Sequence, residues 1–173
     1  MISKRMQDAL NTQINAELWS AYLYLSMSNN FAAKGNQGFA NWFEVQFKEE
    51  QDHALIFTKH ILSRGGKALL APIDAVETNW DTPLKAFQDT LAHENKVNAM
   101  INNLYKIATE ENDYATQSML KWFIDEQVEE EENAQTLIDN LKMIDNNGFG
   151  LFMLDKDLAT RTYVQAAPLA PKA

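Results

Sequence analysis

The sequence predicts an all-α protein: a four-helix bundle with a long crossover between its second and third helices and a short fifth helix near the C-terminal end. Three observations carry this reading. Apolar residues recur at alternating spacings of three and four along four long segments, the period of a helix with one buried face. The breaks between those segments fall where the few glycines, prolines and asparagines cluster. No stretch alternates apolar and polar residues as a strand would, and no tandem repeat is present.

The first helical segment covers about residues 5–33 and ends at the loop Gly35-Asn36-Gln37-Gly38. The second covers about 39–65 and stops at Gly65-Gly66. A connection of about residues 66–82, containing Pro72, closes at Thr82-Pro83, an N-cap residue followed by proline at the first helical position. The third segment covers about 83–111 and breaks at Asn112-Asp113; the fourth covers about 115–145 and stops at Asn146-Asn147-Gly148. A short fifth helix is expected at about 149–160. At 1.5 Å per residue each long helix would reach roughly 40–45 Å, and the 66–82 connection is long enough to span one when extended. Short first and third connections make antiparallel pairs; the long middle one sets the second and third helices parallel. The chain reads as one bundle domain, residues 1–162, followed by a loose tail, 163–173, ending Ala166-Ala167-Pro168-Leu169-Ala170-Pro171-Lys172-Ala173.

Composition narrows the function. The 173 residues are 46% hydrophobic, enough for a sizeable core, and contain no cysteine. Disulfides, thiolate zinc sites, iron–sulfur clusters and cysteine nucleophiles are therefore excluded. There are 24 acidic and 15 basic residues, a formal net charge of −9, so nucleic acid is not expected as a partner. Acidity of this size serves solubility; it also attracts cations. No apolar run is long enough to cross a membrane, and the N-terminal residues have no secretory pattern, so a soluble cytoplasmic protein is expected.

The chemistry lies inside the apolar stripes. They run Leu10, Ile14, Glu17, Ala21, Tyr24 in the first helix and Phe43, Phe47, Glu50, Ala54, Phe57, Ile61 in the second. In the third the stripe is Leu84, Phe87, Leu91, Glu94, Val97, Ile101; in the fourth it is Leu120, Phe123, Gln127, Glu130, Ala134, Leu137, Leu141, Ile144. A glutamate interrupts every stripe, and His53 lies one turn beyond Glu50, so both can face one point. Each interruption lies roughly 11–15 residues, about 16–23 Å, into its helix. Side by side, four such helices bring four carboxylates to one level of an apolar core. Ionised carboxylates there are very costly, and mutual repulsion would protonate some of them. Two divalent cations neutralise four glutamates, and His53 adds a nitrogen donor. A carboxylate-rich set with one imidazole suits iron or manganese, with zinc also accommodated.

These residues resemble the bacterial non-haem ferritins over about residues 1–162. In the wider di-iron carboxylate class, two helices each give a glutamate and two give a Glu-x-x-His motif. Here Glu17 and Glu94 match the single glutamates, and Glu50-Gln51-Asp52-His53 is the motif on the second helix. The fourth helix has Gln127-Val128-Glu129-Glu130 instead, an asymmetry similar to the ferritin pattern and unlike bacterioferritins or dedicated di-iron oxygenases. The resemblance implies a ferritin-like fold with two iron positions per subunit. Glu17, Glu50 and His53 would hold the first iron; Glu50, Glu94 and Glu130 the second, with Glu50 bridging and Gln127 beside them. A third iron position would match Glu49, Glu126, Glu129 and again Glu130, although Glu129-Glu130-Glu131-Glu132 also reads as a solvated charge run.

The same resemblance places Tyr24 and Trp122 beside the pair, as packing residues or electron donors. His60 and His93 have no matching ligand role and read as surface or packing residues. Met27, Met100, Met119 and Met143 read as core filler or interface. Haem is not expected, since Asp52 stands where bacterioferritins carry the haem-binding methionine within the motif. Rubrerythrins carry a four-cysteine iron domain, and mini-ferritins lack a fifth helix. The implied activity is ferroxidase: Fe(II) oxidised by O2 or H2O2 and stored as mineral in a homo-oligomeric shell of 24 subunits. The competing readings are a non-storage di-iron peroxide reductase or oxygenase, and a shell subunit without its own oxidising site.

Overall fold

The computed structural model describes residues 1–145 and 147–170. Its helices are α1 (Lys4–Ala33), α2 (Gln37–Ser63), α3 (Pro83–Glu110), α4 (Tyr114–Ile144) and α5 (Gly148–Leu158), followed by a 3₁₀ turn, Ala167–Leu169. The described residues contain no strand. The boundaries fall where side chains satisfy free helix ends. The Ser3 hydroxyl accepts from Met6 N, Thr82 from Lys85 N with Pro83 opening α3, and Asp113 from Thr116 N. The fourth helix ends earlier than its Asn-Asn-Gly sequence suggested. Asp145 takes the left-handed conformation, φ 46°, that closes α4, and Asn147 caps α5 by accepting from Gly150 N. Asn146 lies outside the described residues.

The topology follows from which ends meet. Ser3 and Arg5, at the start of α1, bond Glu111 and Glu110 at the end of α3, so α1 and α3 are antiparallel. Arg64, at the end of α2, pairs with Asp113 at 2.9 Å, just before α4, so α2 and α3 end together and run parallel. Two antiparallel hairpins, α1–α2 and α3–α4, are thereby joined by the long crossover. Extended backbone has carbonyls with no internal partner, and α1 supplies donors along its length. Asn11 Nδ2 bonds Lys67 O at 3.0 Å, Asn15 Nδ2 bonds Pro72 O at 3.1 Å, Ser26 Oγ bonds Glu77 O at 2.7 Å, and Asn30 Nδ2 bonds Trp80 O at 3.2 Å. Trp80 is buried and its indole donates to Asp89 at 3.2 Å, which fixes the crossover onto the start of α3.

Two apolar clusters fill the bundle. One contains Met6, Leu10, Phe57, Ile61, Ile101 and Phe123; the other contains Met27, Phe31, Phe39, Phe43, Phe87 and Leu141. Each fully buried side chain of this size contributes about 1.5–3 kcal/mol, so the clusters clamp the helices at fixed relative height. Between them lies a belt of buried polar residues: Gln13 and Glu17, Gln46, Glu50 and His53, Thr90 and Glu94, Gln127 and Glu130. The stripes read from the sequence need small corrections. Phe47, Leu84 and Leu91 are only partly buried, while Gln46 and Thr90 are fully inside. Met27 is core, Met100 and Met119 are half-buried, and Met143 is exposed on this chain.

Helix α5 turns back onto the start of α2. Asp155 Oδ1 accepts from Gly38 N at 2.9 Å and Phe39 N at 3.0 Å, satisfying two free amides of that helix. Gly38 permits the approach: a Cβ there would sit 1.6 Å from the Asp155 carbonyl oxygen. The segment beyond α5 is not loose over its described length. Tyr163 Oη and Ala166 N both donate to Asp52 Oδ2, at 2.7 and 2.9 Å, and Leu169 is buried against the bundle. A backbone amide and a buried aspartate make this contact, so the Ala/Pro composition of the tail gave no sign of it. Residues 171–173 lie outside the described residues. Among the described residues no helix is long and apolar enough to cross a membrane.

Candidate metal centre

Glu17 of α1 and Glu50 and His53 of α2 each offer one donor atom within 4.8 Å of the others, and all three are buried. His53 Nδ1 lies 3.2 Å from Glu50 Oε2. On its other side, His53 Nε2 faces Glu126 Oε1 at 3.9 Å, beyond hydrogen-bond range but close enough for charge to act. With its proton on Nε2, the imidazole would turn the Nδ1 lone pair toward the trio. Glu17 Oε1 accepts from Gln13 Nε2 at 2.8 Å, while Glu17 Oε2 has no donor among the described residues.

The carboxylates of the second hairpin complete the belt but do not close to the same distance; among the described residues the trio is the one such group. Glu94 accepts from the Tyr24 hydroxyl on one oxygen and from Gln127 Nε2 at 3.2 Å on the other. Glu130 Oε2 accepts from Gln46 Nε2 at 2.8 Å. Gln127 also donates to the Glu94 carbonyl at 3.3 Å, so it orients Glu94 from α4.

The electrostatics are those of carboxylates lacking a counter-ion. Burial, then the charge of Glu50, holds the Glu17 carboxyl well above the usual carboxylate range. Burial, then Glu94 and Glu130, does the same to Glu50. Burial and Glu94 push Glu130 up to about 8. Tyr24 is likewise raised, by burial and by Glu94. A site whose buried acids are pushed toward their protonated forms, with one Glu17 oxygen left without a donor, fits a divalent cation. Hard oxygen donors with one imidazole are the donor set of iron or manganese, with zinc also accommodated.

The outer acidic residues behave differently. Glu49 is partly buried and pairs with Arg161 Nη2 at 2.7 Å. Glu126 is partly buried beside His53, and Glu129 is exposed. Burial holds both Glu49 and Glu126 above their usual range, and Glu129 adds to both. Trp122 and Phe123 stand edge-on to His53, with centroids 5.5 and 5.6 Å away. Tyr24 stacks on Phe43 at 6.1 Å. His93 bonds Ser20 Oγ at 2.7 Å and leans on Trp19; His60 bonds Thr116 Oγ1 at 2.9 Å. Burial holds both imidazoles below their usual range, as expected of packed neutral histidines. Sequence reasoning missed Gln13, Gln46 and Arg161. The two glutamines are polar residues on buried helix faces, a signal open to reading; Arg161 lies beyond α5 and had none.

Four helices, a long crossover and a buried carboxylate–histidine belt define the class of bundle proteins built around a polar centre. A model of the ferritin-like domain matches residues 7–144. The chain belongs to the ferritin family, among the bacterial non-haem ferritins. It is 44% identical over 161 residues to a bacterial non-haem ferritin of Bacteroides fragilis (strain 638R), covering 93% of this chain and 100% of that one. It is 38% identical over 163 residues to one of Staphylococcus aureus (strain MRSA252), covering 94% and 98%. Among solved structures it is similar to an open pore ferritin of Archaeoglobus fulgidus, with a TM-score of 0.92, 42% identity and coverage of 94% and 100%. An engineered closed form of that protein aligns with a TM-score of 0.93 and 41% identity, covering 95% and 100%.

Proposed function

We propose that this protein is a ferroxidase and iron-storage subunit, a soluble cytoplasmic protein that assembles into a homo-oligomeric shell of 24 copies. The observation that carries the reading is the buried trio Glu17, Glu50 and His53, whose donor atoms lie within 4.8 Å of one another. Fe(II) is the substrate. One iron would be held by Glu17, Glu50 and His53, and a second by Glu50, Glu94 and Glu130, with Glu50 shared between them. Protons on Glu17, Glu50 and Glu130 leave as the ions bind, so the carboxylates exchange one kind of positive charge for another. Tyr24 and Gln127 keep Glu94 oriented from two sides, and Gln46 does so for Glu130. Anionic oxygen donors favour the higher charge of Fe(III). Two Fe(II) each give one electron; together with two protons these reduce O2 to H2O2, or H2O2 to two waters. The Fe(III) then moves to the shell interior and is stored as mineral. Haem has no part in this reading.

The test is anaerobic Fe(II) loading of the metal-free protein followed by O2, with absorbance and particle size recorded together. Uptake of hundreds of irons by a particle of several hundred kilodaltons is expected, and Glu50→Ala is expected to abolish the rapid phase. Saturation at two irons per chain with no mineral would instead favour a non-storage di-iron oxidoreductase on the same fold.

A further inference from the structure

The segment after α5 delivers a cation to the outer carboxylates. Arg161 Nη2 lies 2.7 Å from Glu49 Oε2, and Nη1 donates to the Trp42 carbonyl at 3.3 Å. The guanidinium lies over the Trp42 ring, its central carbon 4.7 Å from the centroid. Its backbone is held too: Asn41 Nδ2 donates to Arg161 O at 2.9 Å and to Leu158 O at 3.0 Å. Asp52 anchors Tyr163 and Ala166 immediately downstream. The arginine is therefore fixed at both ends. The Glu49 and Arg161 side chains are only 21% and 23% exposed.

We propose that Arg161 is a resident cation that takes the place of a third metal ion. The inference rests on reading the inner belt as the metal centre. Glu126 lies beside His53 with Glu49 and Glu129 as neighbouring outer carboxylates, and a third metal position built from them would use Glu49 as a ligand. Arg161 already occupies that carboxylate with a hydrogen bond, a full charge and a stacked, partly desolvated ring contact. An incoming cation has to displace it, and the displaced guanidinium stays nearby because its backbone is tethered. A doubly charged ion would then sit beside a fixed positive charge. The chain thus limits itself to the metal positions of the inner belt.

The experiment uses assembled, metal-free protein crystals soaked in Zn(II), a redox-inactive ion that accepts the same donors, with zinc located by anomalous diffraction. In the native chain zinc is expected at Glu17, Glu50 and His53 and absent from Glu49. In Arg161→Gln an additional zinc is expected bound by Glu49 and Glu126, and the double variant Glu49→Gln/Arg161→Gln loses it again. Equilibrium dialysis should show the corresponding rise and fall of one zinc per chain. Glu49→Gln alone, which leaves the tail anchors in place, should not change the native count. Zinc on Glu49 in the native chain, or none there in Arg161→Gln, overturns the proposal. Zinc missing from Glu17, Glu50 and His53 overturns the metal-centre reading and the proposal with it. That result is told apart because it does not depend on residue 161.

Discussion

Gln46 of α2 donates to Glu130 of α4 across the bundle, Nε2 to Oε2 at 2.8 Å. The bond favours the ionised carboxylate, opposing the burial and the Glu94 charge that push Glu130 up to about 8. Gln46→Leu removes the donor, so Glu130 keeps its proton to higher pH. That proton must leave before a cation binds. Zinc affinity near neutral pH is expected to fall by about tenfold, the usual scale for a residue that orients a metal ligand. The deficit should shrink as pH rises, which calorimetric titrations at several pH values will show. An equal loss at every pH would mean that Gln46 only fills space.

The metal-free protein should lose stability as solutions become alkaline. The Glu17, Glu50 and Glu130 carboxyls hold protons in the folded chain at pH values where the unfolded chain has released them. The folded state then binds more protons, so unfolding free energy falls with rising pH. This contribution is complete below the ordinary carboxylate range and, for Glu130, is lost as pH rises through about 8. Thermal melts from mildly acidic to mildly alkaline pH should show a declining Tm, shallower in Glu130→Gln. Zinc loading should flatten the curve in the native chain.

Tyr24→Phe tests the bond from α1 to α3. Glu94 loses one of its two side-chain donors and keeps Gln127. Leaving a buried acceptor without its partner costs about 1–3 kcal/mol. Urea denaturation of the metal-free protein should register that loss, while zinc binding at Glu17, Glu50 and His53 persists. A stability unchanged within error would show that the hydroxyl carries no structural weight.

Asp52→Ala should release the segment beyond α5. The aspartate accepts from Tyr163 Oη and from Ala166 N, and hydrogen bonds to a charged acceptor are worth about 1.5–3 kcal/mol each. Hydrogen exchange at Ala166 is expected to quicken at least tenfold, with amides in the middle of α4 unaffected. Uniform acceleration throughout the chain would indicate global destabilisation instead.

The bundle was legible because its long helices carry a strong apolar period and their ends carry recognisable caps. The inner belt was legible because glutamate on an apolar stripe conflicts with burial, and His53 follows Glu50 by one turn. Gln46 and Phe47 show where this reading fails. They are neighbours 100° apart on the helix, and side-chain type favoured the phenylalanine; the structure buries the glutamine, which has a carboxylate to bond. The tail was misread for a related reason. Its composition suggested weak packing, yet Asp52 holds it through a backbone amide, a group every non-proline residue possesses. Arg161 is informative only once Glu49 and Trp42 are known to lie beside it.

The division into hairpins also writes an order of synthesis into the polar centre. Glu17, Glu50 and His53 all belong to α1 and α2, whereas Glu94, Gln127 and Glu130 belong to α3 and α4. A chain leaving the ribosome has the first trio complete before the third helix has been made. The later hairpin therefore folds onto a partner whose acids already need positive charge, and its own glutamates deepen that need.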